Sequence, residues 1–404
     1  MHQPTQTYCI ALASSLLLCL SPASRADVVT DWNIKSGELI AESKMGTPPA
    51  VRVMAIVQTA AYEAVAAVAR DPAAQGRDTA VRAALAAAHR TAFNRLLPAQ
   101  ATSVDAAYQA ALAPLAEGAA KTSGLAAGET AALAVLARRA DDGATVPEAY
   151  RPHTTPGAYV PTVVPAVPQW AQRKPWLLSR PSQFRPGPPP ALDGAIWAQD
   201  FNEVKLMGRR TSTRRGVAQS EIAQFWEYSL PAIYHGVVRS VAAASGRDVL
   251  NNARLFAVVA QAMDDAMIAV WDAKYHYNFW RPITAIRNAA IDGNDATEPD
   301  PTWVSFVDVP MHPEYPAGHS ILAATVGTVL KAEIGSGAMP LLSTTSPSAN
   351  GVTHHWLNTE AFIQEVSDAR VFGGMHFRTA TRVGSVMGRQ IGELAAKQLA
   401  AFTP

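Results

Sequence analysis

The sequence predicts an all-α protein: a helical bundle with one proline-rich extended segment wrapping its body. Three observations predict it. Apolar residues recur at helical spacing through most of the chain, with almost no strand-like alternation. Alanine is abundant, apolar residues reach 49% and charged residues only 17%, a mix suited to closely packed helices and compatible with a homodimer. Finally, 12 of the 29 prolines fall in 146–192, so the main interruption of the helical pattern is confined to one stretch. The 404 residues suffice for one large core or two domains. A formal net charge of +1 gives no bulk attraction to nucleic acid or anionic membranes, so any anion site must be built locally.

Residues 1–26 read as a signal peptide. "CIALASSLLLCL" is an uncharged apolar run too short to span a bilayer, and "SPASRA" places Ser24 and Ala26 before a cut at Asp27. The n-region "MHQPTQTY" lacks Lys and Arg, so an uncleaved anchor is the alternative. Export implies a periplasmic or secreted mature protein. Cys9 and Cys19 both lie in this segment, so the mature chain has neither disulfides nor thiolate chemistry. Beyond residue 27 no uninterrupted apolar run reaches membrane-spanning length, and no integral membrane segment is expected.

Region 27–145 is helical, from "TPPAVRVMAIVQTAAYEAVAAVAR" (47–70) to "SGLAAGETAALAVLARRADDG" (123–143). Thr47 is the expected N-cap, with prolines directly after it. Segment 146–192, ending in "RPGPPP", could be a disordered linker. Tyr150, Tyr159, Trp170, Trp176 and Phe184 argue instead for an extended stretch laid over the helices, because disordered tracts are poor in aromatics. Region 193–404 continues the same integrated domain. Its helical patterns cover 192–208, 217–227, 231–245, 248–278, 318–335, 357–370 and 379–400, and no sheet is expected. The loop "DGNDATEPD" (292–300) lacks the spacing of a calcium loop and reads as solvated turn acids.

Chemistry concentrates in three stretches. "KYHYNFWRPITAIRNA" (274–289) puts Lys274 and Arg281 seven residues apart, which on a continuous helix is one face. "HPEYPAGHSILAATVGTVL" starts a helix at His319, where free N–H groups and the positive dipole end meet. "SDARVFGGMHFRTATRVG" ends a helix at Arg370, breaks at Gly373–Gly374 and presents His376. Singly, each has an ordinary reading: a solvated stripe, a capping histidine, a satisfied interior histidine. Together they bring three cations, two histidines and a helix N-terminus within reach of one oxyanion.

Lys274, six residues, Arg281–Pro282; Pro316-Ala317-Gly318-His319; Arg370, five residues, His376: this order resembles the signature K-x6-R-P, P-S-G-H, S-R-x5-H of the type 2 phosphatidic acid phosphatase and vanadium-dependent haloperoxidase superfamily. "ADVVTDWN" (26–33), "RVMAIVQTAAYEAV" and "WDAKYHYNFWRPITAIR" resemble its exported bacterial haloperoxidase-like branch. The resemblance implies that Lys274, Arg281, Arg370 and the Gly318 N–H hold the oxygens of vanadate or phosphate. His376 is the implied axial metal ligand, or the phosphoryl-accepting nucleophile of a phosphatase, and His319 the acid–base group. Lys274 is the implied polarising cation, and Trp271 and His312 stand where the haloperoxidases line the halide approach. The implied activity is oxidation of halide, bromide or iodide before chloride, by hydrogen peroxide at vanadate. The alternatives are a soluble acid phosphatase taking a phosphate ester without a cofactor, and a scaffold that binds phosphate or vanadate without turnover.

Three positions depart from the signature. Ala317 replaces a Ser, removing a hydroxyl donor worth roughly 1.5–3 kcal/mol to a charged acceptor. Ala369 replaces the Ser before Arg370, and Ala380 stands where the family often has the Asp that orients the nucleophile, which argues against strong phosphatase activity. Asp264, Asp265, Asp272 and Asp368 are the candidate carboxylates to orient an arginine or histidine instead.

Overall fold

The computed structural model describes residues 27–71, 76–244 and 246–401; the expected signal peptide and both cysteines lie outside them. The N-terminal helices are α1 (Val28–Glu42), α2 (Thr47–Arg70), α3 (Arg77–Leu96), α4 (Ala101–Leu112) and α5 (Ala119–Arg138). After the proline-rich segment come α6 (Ala195–Met207), α7 (Val217–Phe225), α8 (Pro231–Ala242), α9 (Val249–Tyr277) and α10 (Pro282–Arg287). The chain closes with α11 (Gly318–Ile334), α12 (Thr359–Phe372) and α13 (Arg378–Ala401). One apolar core runs through both halves, from Val29 on α1 to Leu399 on α13, with α9 at its centre. Nearly the whole of α9 is buried, so it reads as apolar all round rather than on one stripe. Gly124 and Gly128 let α5 sit on α3: a Cβ there would come 2.3 Å and 2.1 Å from the Ala80 and Ala84 carbonyl oxygens.

The all-α expectation holds, with corrections in detail. The N-cap of α2 is Gly46; Thr47 is already helical, and its Oγ1 meets Ser229 Oγ at 2.6 Å. α2 is also long and apolar enough to cross a membrane, yet it lies mostly buried in the core. An antiparallel hairpin, β1 (Leu342–Ser346) with β2 (Val352–Trp356), contradicts the expectation of no sheet. The Asn350-Gly351 pair at its turn, both at positive φ, was the legible hairpin signal beside β-branched Thr and Val.

A third correction matters for the site. Lys274 and Arg281 do not share a helical stripe. α9 stops because Asn278 adopts φ 48°, ψ 41°, a left-handed conformation that asparagine tolerates. The chain then runs extended through Phe279, which bridges Ala158, and Arg281 becomes the N-cap residue of α10, with Pro282 at its first turn. The two cations therefore stand on separate elements, Lys274 in the last turn of α9 and Arg281 at the start of α10.

The proline-rich segment is fastened to the body as an extended strap. Arg173 donates to Asp264 at 2.5 Å, and the N–H groups of Trp176, Leu177 and Leu178 all donate to Asp265 at 2.7–2.8 Å. Arg185 forks onto Asp272 with two bonds of 2.7 Å. The Ala166 carbonyl accepts from Trp271 Nε1 and Tyr275 OH, both at 3.2 Å, and the Ala166 N–H donates to Met311 O at 2.7 Å.

Candidate oxyanion site

Four elements converge. The end of α9 supplies Trp271 and Lys274, and the start of α10 supplies Arg281. The N-terminus of α11 supplies Gly318 and His319, while α12 with the turn after it supplies Arg370 and His376. The first ladder bond of α11 runs from Ile321 N–H to Ala317 O, so the N–H groups of Gly318, His319 and Ser320 precede the ladder. A Cβ built on Gly318 would meet only Met267 Cε, at 3.8 Å, so the space before that amide is open. Gly374 at φ 80° turns the chain after α12 and aims the His376 ring inward.

Gly318, His319, Arg370, His376, His312 and Trp271 all border one cavity of about 260 Å³, whose walls are otherwise largely apolar, with Met267, Leu322, Pro310 and Ala166. Lys274 and Arg281 stand behind that wall. Arg281 ties the cluster together: Nε donates to His312 O at 2.9 Å and Nη1 to Met375 O at 2.9 Å. Its Nη1 also lies 3.3 Å from His376 Nε2, and its Nη2 lies 2.9 Å from His312 Nδ1. Arg370 Nη1 donates to Trp226 O at 2.5 Å. The His312 ring packs on Trp271, centroids 4.8 Å apart. Lys274 Nζ donates to the carbonyls of Pro313 (2.9 Å), Glu314 (2.8 Å) and Pro316 (2.5 Å). All three ammonium donors are therefore engaged, and Lys274 reaches an oxyanion only by exchanging one of these bonds.

Glu314 is the residue that sequence reasoning missed. Its Oε1 lies 2.8 Å from His376 Nδ1 and accepts from the Phe377 N–H at 2.9 Å. The carboxylate partner thought absent because of Ala380 comes instead from the loop before α11. The signal was present: Glu314 sits between Pro313 and Tyr315, two residues before the motif Pro316–His319. The four aspartates considered for the role lie elsewhere; Asp264, Asp265 and Asp272 hold the strap, and Asp368 pairs with Arg378. With Nδ1 carrying the proton toward Glu314, His376 Nε2 is left with a lone pair, which Arg281 Nη1 approaches at 3.3 Å.

Electrostatics explain what this cluster needs. Burial, then the charges of Arg281 and Arg370, hold Lys274 well below the usual lysine range, with Glu314 pulling the other way. Burial also lowers Arg281 to about 10 and Arg370 to about 9. His312, His319 and His376 are all pushed well below the ordinary histidine value, first by burial and then by the neighbouring cations. Glu314 is raised by burial to about 8, against the pull of Lys274 and Arg281. Three buried basic side chains thus meet one buried carboxyl, Glu314, while exposed Glu227 and Asp308 also border the cavity, and Arg370 Nε is buried without a partner among the described residues. Such groups are costly unless an anion compensates them. The donor set fits a tetrahedral or trigonal-bipyramidal oxyanion such as phosphate or vanadate.

The family model described as the VCPO second helical-bundle domain matches residues 254–403, which contain every residue of this cluster except Trp226 and Ala166. The matched stretch is thus similar to the second helical bundle of the vanadium chloroperoxidases. It is similar to the vanadium chloroperoxidase of Curvularia inaequalis, 30% identical over an alignment of 141 residues, which covers 28% of this chain. The match spans 22% of that protein's length. The fold is similar to that of the first bacterial vanadium-dependent iodoperoxidase, with a TM-score of 0.74 at 24% identity, over 91% of this chain and 95% of that one. It is also similar to the apo form of a bacterial vanadium-dependent chloroperoxidase, with a TM-score of 0.70 at 19% identity, over 87% and 92% of the two chains.

Proposed function

We propose that the chain is an exported vanadium-dependent haloperoxidase, working as one integrated domain, that oxidises bromide or iodide with hydrogen peroxide. One observation supports the reading: three buried basic side chains stand about a histidine whose Nδ1 meets Glu314, which leaves Nε2 as the atom that would coordinate. Bound vanadate would supply Lewis acidity that activates peroxide toward halide without a redox change at the metal. Arg281, Arg370, Lys274 and the Gly318 N–H would hold its oxygens, and His376 Nε2 would be the metal ligand. His319, kept neutral by burial and nearby cations, offers a lone pair at Nε2 to take a proton from peroxide. Trp271 and His312 border the halide approach, and Met267 and Leu322 keep that approach dry. Chloride demands a stronger oxidant than bromide or iodide and should turn over more slowly.

The Glu314–His376 hydrogen bond supports a second reading, an acid phosphatase acting through a phosphohistidine, because it is the tautomer-fixing contact such a nucleophile needs. Purified protein assayed with and without vanadate, on peroxide plus bromide and on a phosphate ester, separates the two. Bromination that requires vanadate supports the first; robust ester hydrolysis with no halide oxidation at saturating vanadate overturns it. His376→Ala should abolish stoichiometric vanadate binding while circular dichroism remains helical.

A further inference from the structure

The hairpin absent from the sequence reading carries a polar network that leads to the site. His354 on β2 stacks on Phe225, centroids 3.8 Å apart, and its Nδ1 lies 2.8 Å from Glu365 Oε1. Its Nε2 lies 3.1 Å from Glu221 Oε1. Glu365, on α12, also accepts from Trp226 Nε1 at 2.9 Å and from Trp356 Nε1 at 3.0 Å. Ser346 Oγ and Ser348 Oγ donate to Phe225 O (2.6 Å) and Gln224 O (2.7 Å), so the carbonyls that end α7 are fixed one by one. The next carbonyl, Trp226 O, accepts from Arg370 Nη1 at 2.5 Å and also bonds the His319 ring, favouring its protonated form. Trp226 is fully buried, held at its indole by Glu365 and turned at its carbonyl toward two site residues.

We propose that Glu365, locked by His354, is a positioning residue of the oxyanion site: it fixes Trp226, whose carbonyl fixes Arg370 and His319. The inference rests on the reading of the cluster as an oxyanion site and adds what sets its geometry. A carboxylate is required at 365 because two indole N–H groups and one imidazole N–H converge on it, and a carboxamide would turn an NH₂ toward one of them.

The test is calorimetric titration of the full chain with inorganic vanadate and, separately, inorganic phosphate. Glu365→Gln and Trp226→Phe, which removes the indole donor but keeps a ring, should each weaken binding of both anions about tenfold. In an Arg370→Ala background, Glu365→Gln should add less than about twofold, because its effect passes through Arg370. A merely structural role would lower thermal stability in both backgrounds and leave the affinity of the folded protein unmoved. Parent affinity in the folded Glu365→Gln and Trp226→Phe variants, or equal losses with and without Arg370, would overturn the inference. Binding of neither anion by the parent would overturn the oxyanion reading and the inference with it.

Discussion

Ala317→Ser restores the one hydroxyl that the signature asks for and this chain lacks. Ala317 is the N-cap residue of α11, extended at φ −76°, ψ 121°, fully buried, and without a side-chain cap; its N–H donates to Ala380 O at 3.1 Å. A serine there has two partners at once. Its oxygen accepts from the N–H of His319 or Ser320, worth about 1 kcal/mol as an N-cap. Its proton is free to donate to a bound oxyanion, worth roughly 1.5–3 kcal/mol, or about a 10- to 150-fold gain in affinity. Spread over a chain of this size, the cap raises the melting temperature by only about 1 °C. Vanadate and phosphate titrations therefore carry the prediction, with thermal unfolding as the control. A variant that unfolds at or above the parent temperature, yet binds both anions within twofold of the parent, would refute the reasoning: the hydroxyl would then cap the helix without facing the anion.

Ala380→Asp, which would restore the Asp that the signature often carries there, should destabilise. Ala380 is buried in the cluster of Trp197, Trp280 and Phe377, and Glu314 already occupies His376 Nδ1, so a second carboxylate enters without a partner. We expect a loss of several kcal/mol in a urea melt and no rise in phosphate-ester hydrolysis; higher hydrolysis at parent stability would contradict this. The acid limb of stability should be set largely by buried histidines. Burial depresses His235 to about 3 and His89 to about 4 in the folded chain. The unfolded chain therefore binds the extra protons, and stability present above about pH 6.5 is lost as pH falls. Asp265, raised by burial to about 6, works the other way between about pH 6 and 4. For His235→Asn, which keeps an acceptor for Asn33 Nδ2, the loss between pH 7.5 and 5 should shrink by about 2 kcal/mol. An unchanged pH slope in urea melts would show that His235 is not the titrating group.

The helices were legible because their apolar spacing is strong and their ends are marked locally. Gly318 and Gly373 bound α11 and α12 where the pattern puts them, and the three motifs mark residues that do converge. What the pattern could not carry was direction after a break. Asn278 in a left-handed conformation splits a supposed two-turn stripe into two separate elements, and nothing in helical periodicity encodes that break. Glu314 escaped for a related reason: its partner is 62 residues away, so only tertiary closure reveals it. The hairpin was a misreading, since Asn350-Gly351 between β-branched residues was there to be weighed.

The strap has a consequence for how such a site can diversify. The atoms proposed to hold the anion sit at helix ends, where a backbone shift would displace them. One wall of the same cavity, at Ala166, belongs to a mostly extended stretch with one short 3-10 helix, Pro168–Gln172, anchored through three aspartates of α9. Val163 and Val164 beside it are exposed, so length and side chains there can change without disturbing the bundle. The cavity thus has a floor of helix ends and one wall that can be redrawn independently of them.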